Sequence, residues 1–151
     1  MKTIEKDILT IESGVIVQSC NCCGPMGGLA GAIKRKWPIV EKQYLKYLRE
    51  NENNNYPAFT LLGKCLVIPV SDKLSVANVF GQWHVSTAER QTDYMAIHHG
   101  LEALKYDFQF KDIDVYFPYK FASDKGGGRW EYVSEIIEYH FPNCTVCKLP
   151  E

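Results

Sequence analysis

An α/β protein, a sheet with helices on its faces, is the architecture the sequence predicts. Three observations carry it. Strand-like and helix-like segments alternate along the chain. The β-branched run GVIVQSC, Gly14–Cys20, reads as a buried strand. After a glycine-rich connection, Leu29, Ile33 and Trp37 recur at the four-residue spacing of a helix face.

The elements follow in order. Lys2–Ile8 alternates apolar and polar residues and predicts a first strand; Gly14–Cys20 is the second. The helix that starts near Leu29 ends or kinks at Pro38, because proline cannot continue the hydrogen-bond ladder. Ile39–Arg49 predicts a second helix with Val40, Tyr44, Tyr47 and Leu48 on one side, and the polar Asn51–Pro57 predicts a loop. Lys64–Val70 and Ser75–Gln82 read as strands joined by the turn SDK. Thr92–Phe108 predicts a helix with Thr92 as its N-cap and Asp93 as a first-turn acid favoured by the helix dipole. Ile113–Tyr119 is a strand and Phe121–Arg129 a glycine-rich loop. Trp130–Phe141 is a helix with Val133, Ile136 and Ile137 inside, and Cys144–Leu149 closes the chain as a strand.

With 151 residues, the chain predicts one domain over 1–151. That length suffices to bury a core without a staple. A net charge of −1 argues against a general electrostatic binder of nucleic acid or anionic membrane. The cluster Lys34, Arg35, Lys36, Lys42 and Lys46 reads as a solvated helix face. No apolar run reaches membrane-spanning length, and the N-terminus lacks a signal-peptide core. A soluble, cytoplasmic protein with free thiols is expected.

Two kinds of chemistry compete in the stretch SCNCCGPMGGLAGAIKRKWP. Cys20, Cys22 and Cys23, with Cys144 and Cys147, raise a metal site. Yet Cys20 ends an apolar strand, and Cys144 and Cys147 are three apart within another, so they point to opposite faces. Small buried hydrophobes are the simpler reading, and no metal is expected. The glycines point elsewhere. Gly24, Gly27, Gly28 and Gly31 join a strand to a helix, where open α/β sheets bind ligands. Glycine permits close backbone approach, and a helix N-terminus offers free N–H groups to phosphate. Neither a Walker loop nor the G-x-G-x-x-G fingerprint is present. SDKGGGRW, Ser123–Trp130, also joins a strand to a helix, and two such loops can clasp an extended phosphate ligand.

Nearly the whole chain resembles the macrodomain family, an ADP-ribose-binding fold. KDILTIESGVIVQSCN is similar to the family's opening, an aspartate followed by a strand that ends in asparagine. GPMGGLAGAIKRKWP resembles its first phosphate loop and helix, often M-G-x-G-x-A followed by an aromatic residue and proline. VANVFGQ followed by QTDY, and FPYKFASDKGGGRWEYVSEII, resemble small phage and bacterial members and their second loop. The resemblance implies a three-layer α/β/α fold around a mixed, mostly parallel sheet of about six strands. It implies that Asp7 accepts the adenine amino group, with the Ile8 backbone N–H beside it. Asn21 would face the distal ribose, and Gly24, Met26, Gly27, Gly28, Leu29 and Ala30 would wrap that ribose and one phosphate. Ser123, Lys125, Gly126, Gly127 and Gly128 would cover the diphosphate from the other side.

The departures direct the functional expectation. The first loop is one residue shorter than the family pattern, and Ala122 and Asp124 stand where two glycines are usual. Relatives that remove ADP-ribose from acidic residues or DNA use a lysine after the middle strand and an aspartate in the second loop. Here the first segment reads FGQWHVS and Gly126 occupies the aspartate position. The expectation is therefore an ADP-ribose-1″-phosphate phosphatase without cofactor, in which Asn21 orients the distal ribose and His84 or Asp124 assists water. The alternatives are a hydrolase of an ADP-ribosylated macromolecule and a module that binds ADP-ribose without turnover.

Overall fold

The computed structural model describes residues 1–84, 90–108, 112–124 and 126–151. Six strands form one sheet in the order β1-β6-β5-β2-β4-β3. In chain order they are β1 (Lys2–Glu5), β2 (Gly14–Cys20), β3 (Cys65–Pro69), β4 (Leu74–Phe80), β5 (Val115–Pro118) and β6 (Thr145–Lys148). β1, β6, β5, β2 and β4 run parallel to their neighbours, and only β3 is antiparallel, against β4. Four helices complete the layers: α1 (Gly28–Lys36), α2 (Pro38–Asn53), α3 (Tyr94–Asp107) and α4 (Trp130–His140). The mixed, mostly parallel sheet and the three layers are as expected.

Alternation along β2 divides the core. Val15 and Val17 face α3 and α4, where Ile97, Leu101, Leu104, Val133 and Ile137 pack with Phe117 and Val146. Ile16 faces the other layer with Ile33 of α1, Val40 of α2, Ile68 and Val76. At the carboxyl end of that second face, Cys20, Cys22, Tyr44, Leu61 and Phe80 form a further cluster, with the Tyr44 and Phe80 rings stacked 5.8 Å apart. Cys144 packs in the α3–α4 layer and Cys147 in the opposite one, as their spacing requires. Cys23 departs from the packing expectation, for it is exposed.

Four departures from the sequence reading have a clear physical setting, while the other strand and helix ends shift by two residues at most. β1 stops at Glu5, because the Asp7 carboxylate accepts the Leu9 N–H at 3.0 Å and turns the chain into a short 3-10 segment, Ile8–Thr10. α2 begins with Pro38 in its first turn and runs through Asn53, absorbing residues expected in a loop. Asn51 is buried there, and its amide donates to the carbonyls of Tyr56 and Pro57. α3 is capped by Asp93, whose carboxylate accepts the Ala96 N–H at 3.0 Å, and not by Thr92. A 3-10 turn at Ala58–Leu61 had no signal that the sequence reading used. No helix among the described residues is long and apolar enough to cross a membrane.

Candidate functional site

β2 and β5 lie side by side, but the chain leaves them in opposite directions. From β2 it passes through α1 and α2 toward β3, and from β5 through α4 toward β6. The sheet therefore has a topological switch point between these two carboxyl ends, where the departing loops part and leave a crevice. A hollow of about 370 Å³ occupies that place, walled by Asn21 and Pro25–Ala30 on one side and Pro118–Ala122, Asp124 and Gly126 on the other. Gln18, Ser19, Cys20 and Gln82 form the rest of its lining.

The first wall is built around Asn21, which is 5% exposed. Its Oδ1 accepts the N–H groups of Cys23 and Gly24 at 2.8 and 2.9 Å, and its Nδ2 donates to the Pro25 carbonyl at 2.6 Å. The Tyr44 hydroxyl, reaching from α2, donates to the Asn21 carbonyl at 2.7 Å and accepts the Gly24 N–H at 3.1 Å. Asn21 thus folds the loop as well as bordering the hollow. The chain then enters α1 at Gly28, whose φ of +56° favours glycine. Gly28, Leu29 and Ala30 line the hollow, and the opening N–H groups of a helix have no intrahelical acceptor. α1 has no acidic residue in its first turn and carries Lys34, Arg35 and Lys36 in its last, so its positive end is left uncompensated toward the crevice.

The thiols beside this wall are poor nucleophiles. Burial pushes Cys22 up to about 12, with the neighbouring Cys23 adding to it, and burial drives Cys20 well above the ordinary thiol value. Burial also raises Tyr44, which therefore stays protonated and keeps its donated hydrogen bond.

The second wall is fastened to the segment that leads into α3. The Gly126 carbonyl accepts the N–H groups of Gln91 and Thr92 at 2.9 and 3.0 Å, and the Thr92 hydroxyl donates to the Ala122 carbonyl at 2.7 Å. A Cβ at Gly126 would meet Thr92 Oγ1 at 2.4 Å and Gln82 Oε1 at 3.0 Å, so only glycine fits this junction. Ala122, at a position where the family pattern has glycine, adopts a left-handed φ of +58°.

The expected site residues divide accordingly. Asn21, Met26, Gly27, Gly28, Leu29, Ala30, Asp124 and Gly126 meet around the hollow. Asp124 is exposed, at its mouth. Gly24 lies behind the first wall, while Ser123, Gly127 and Gly128 belong to the second loop without lining the hollow. Asp7 and Ile8 stand apart from the lining, in the turn that touches β5. His84 is exposed and outside the lining, and its carbonyl accepts from Gln82 Nε2 at 3.0 Å. Lys125 lies outside the described residues. Sequence reasoning did not name Gln18, Ser19, Gln82, Tyr119 or Lys120 as site residues, yet all line the hollow. Gln18 had a signal: a polar residue near the end of a β-branched run. It is 1% exposed and donates from Nε2 to Asn78 Oδ1 at 2.6 Å.

No protein-family model and no curated protein matches the sequence. Solved structures do. A protein from Bacteroides thetaiotaomicron is 26% identical with a TM-score of 0.84, over 99% of each chain. The macrodomain of Mycobacterium tuberculosis DarG is 23% identical with a TM-score of 0.78, covering 99% of this chain and 97% of that one. Thermosipho africanus DarTG, solved in complex with ADP-ribose, is 17% identical with a TM-score of 0.75, covering 98% of this chain and 41% of that one.

Proposed function

This chain has the macrodomain fold, and from that premise we propose that it binds ADP-ribose or a derivative in the crevice between β2 and β5. The observation that carries the reading is the uncompensated N-terminus of α1, facing a hollow walled by two glycine-rich loops. Backbone N–H groups and the helix dipole suit a diphosphate, which asks for several donors on a closely approaching main chain. The solved complex of the Thermosipho africanus protein with ADP-ribose supports the ligand class. In this reading Asp7 and the Ile8 N–H take the base, Gly24–Ala30 and the second loop take the diphosphate, and Asn21 borders the distal ribose with the N–H that Pro25 does not use.

The finer proposal is hydrolysis of a phosphate ester at the distal end, as in an ADP-ribose-1″-phosphate phosphatase. Asp124 is the one carboxylate lining the hollow among the described residues. It would orient a water and take up its proton as the water attacks phosphorus; the bond from phosphorus to the ribose 1″-oxygen breaks, and that oxygen leaves as a hydroxyl with a proton from solvent, while the α1 amides hold the diphosphate. His84, outside the lining, would assist only from the rim. Incubation with ADP-ribose-1″-phosphate should release inorganic phosphate, and Asp124→Asn should lower that release by about 100-fold while leaving ADP-ribose affinity within about threefold. Hydrolysis unchanged by Asp124→Asn removes this role.

A binding module without turnover is the second reading. It is favoured by the engagement of Asn21 in folding its own loop, which leaves little side-chain chemistry in the first wall. Saturable calorimetric binding of ADP-ribose, with no phosphate released from the 1″-phosphate, would establish it. Release of ADP-ribose from an ADP-ribosylated macromolecule would establish the glycohydrolase alternative instead.

A further inference from the structure

β1, β6 and β5 are adjacent and parallel, so their carboxyl ends reach the same rim of the sheet as the crevice. Each of these ends carries a lysine. Lys6 directly follows β1, Lys148 is the last residue of β6, and Lys120 lies just beyond β5. Neighbouring strands are about 4.8 Å apart, so the three lysines leave the backbone along one short stretch of rim, Lys148 level with Glu5 and on the same face of the sheet, Lys6 one residue further on and on the other face. The backbone fixes their order: the Lys6 N–H donates to the Lys148 carbonyl at 2.9 Å, and the Tyr119 N–H to the Cys147 carbonyl at 2.8 Å.

Tyr119 lines the crevice, and two of the ammonium groups lie against its ring. Lys148 Nζ is 4.9 Å and Lys120 Nζ 5.7 Å from the ring centroid. A fourth ammonium, from Lys36 at the end of α1, donates to the Leu9 carbonyl in the turn after Asp7. Among the described residues none of these four lysines forms an ion pair. Glu5, which stands opposite Lys148 in the β1–β6 register, and Asp7 are the acids beside them, and the Asp7 Oδ1 already accepts the Leu9 N–H.

An aromatic face tolerates an ammonium group, but two of them on one ring repel each other unless an anion enters between them. We propose that this rim is a second anion subsite, which takes a phosphate carried on the nucleoside sugar of the ligand in addition to the diphosphate at α1. The inference rests on the reading of the crevice as an ADP-ribose site with the base at Asp7. It adds a substrate class: ADP-ribose phosphorylated on its adenosine ribose. A phosphomonoester of charge −1.5 to −2 matches ammonium groups that act as point charges on flexible stems. The extra phosphate can come from a free nucleotide or from a nucleotide strand that continues from the same sugar.

Calorimetry with three ligands tests the subsite: ADP-ribose, ADP-ribose bearing a 2′-phosphate, and a single-stranded adenosine oligonucleotide without ADP-ribose. Each is titrated into the native chain and into a Lys6→Gln, Lys148→Gln double variant. In ~50 mM salt the 2′-phosphate should tighten binding about tenfold, and that gain should fall below about twofold in the double variant and in ~0.5 M salt. Both proteins should bind ADP-ribose alike. An oligonucleotide that binds as tightly as the phosphorylated ligand, and loses its affinity in the double variant, assigns the phosphate to a strand; an oligonucleotide that does not bind assigns it to a free nucleotide. Equal affinity for ADP-ribose with and without the phosphate, or a gain that survives the double variant, overturns the proposal. Absence of ADP-ribose binding to the native chain overturns the reading of the crevice itself.

Discussion

Asn21 acts on the backbone as much as on any ligand. The sequence marked it because it follows a buried strand, and it does stand at the crevice. What the sequence does not express is that its carboxamide is occupied by Cys23, Gly24 and Pro25, since those partners exist only once the loop has closed. Gly126 is the complementary case. A run of three glycines reads as flexibility, yet at Gly126 the missing Cβ leaves room for Thr92 and Gln82 from elsewhere in the chain. Gly126→Ala should therefore destabilise the protein by about 1–3 kcal/mol in urea unfolding and weaken ADP-ribose binding, because the methyl group must displace the Thr92 hydroxyl. Gly127→Ala differs in kind: its φ of +75° strains alanine, while its nearest neighbour would be the Arg90 main chain at 3.1 Å.

Among the elements, α3 separates two neighbours that the sequence treated together. Both Thr92 and Asp93 are good capping residues, and side-chain chemistry alone does not choose between them. The choice is tertiary: Thr92 is drawn to the Ala122 carbonyl of the second loop, and Asp93 is left to cap. Asp93→Ala should cost about 1 kcal/mol of stability and leave ligand affinity unchanged. Thr92→Val, nearly the same in shape, should cost a similar amount and also weaken ADP-ribose binding, since it unfastens the second wall. Thermal melts and calorimetry on the two variants separate these outcomes. The extension of α2 has a related origin. Asparagines argued for a loop, but burial of Asn51 against Tyr56 and Pro57 supplies contacts that local propensity does not anticipate. β2, whose Gly14–Cys20 bounds match the sequence reading, needed no such help, because a β-branched run in the middle of a sheet is specified by its own side chains.

The whole molecule holds its layers together differently on the two faces. Over α3 and α4 the apolar contact ends in a pair of imidazoles, His98 Nδ1 and His140 Nε2, 3.1 Å apart. They border a hollow of about 500 Å³ with Glu102, Lys105 and Tyr139. Burial, then the facing His98 and Lys105, hold His140 below its ordinary value of 6.5, with Glu102 opposing them. The unfolded chain therefore binds a proton that the folded chain refuses. Stability from the neutral His140 is complete above about pH 6.5 and is lost as the pH falls from there through its lower folded value. Melting temperatures measured between pH 7.5 and 5 should decline on the acid side, and His140→Gln should flatten that part of the curve. Alternation of strands and helices made the architecture legible, but strand order was not, because pairing across the sheet leaves no mark within a single segment.

One pairing sets when the sheet becomes complete. β1 aligns residues 2–5 with residues 145–148 of β6, so the strand leading to Asp7 has no partner until residues 145–148 have been made. A growing chain on the ribosome can assemble β2, β4 and the α1 loop well before that point. The turn at Asp7 is therefore fixed after them, and with a long loop to bring together.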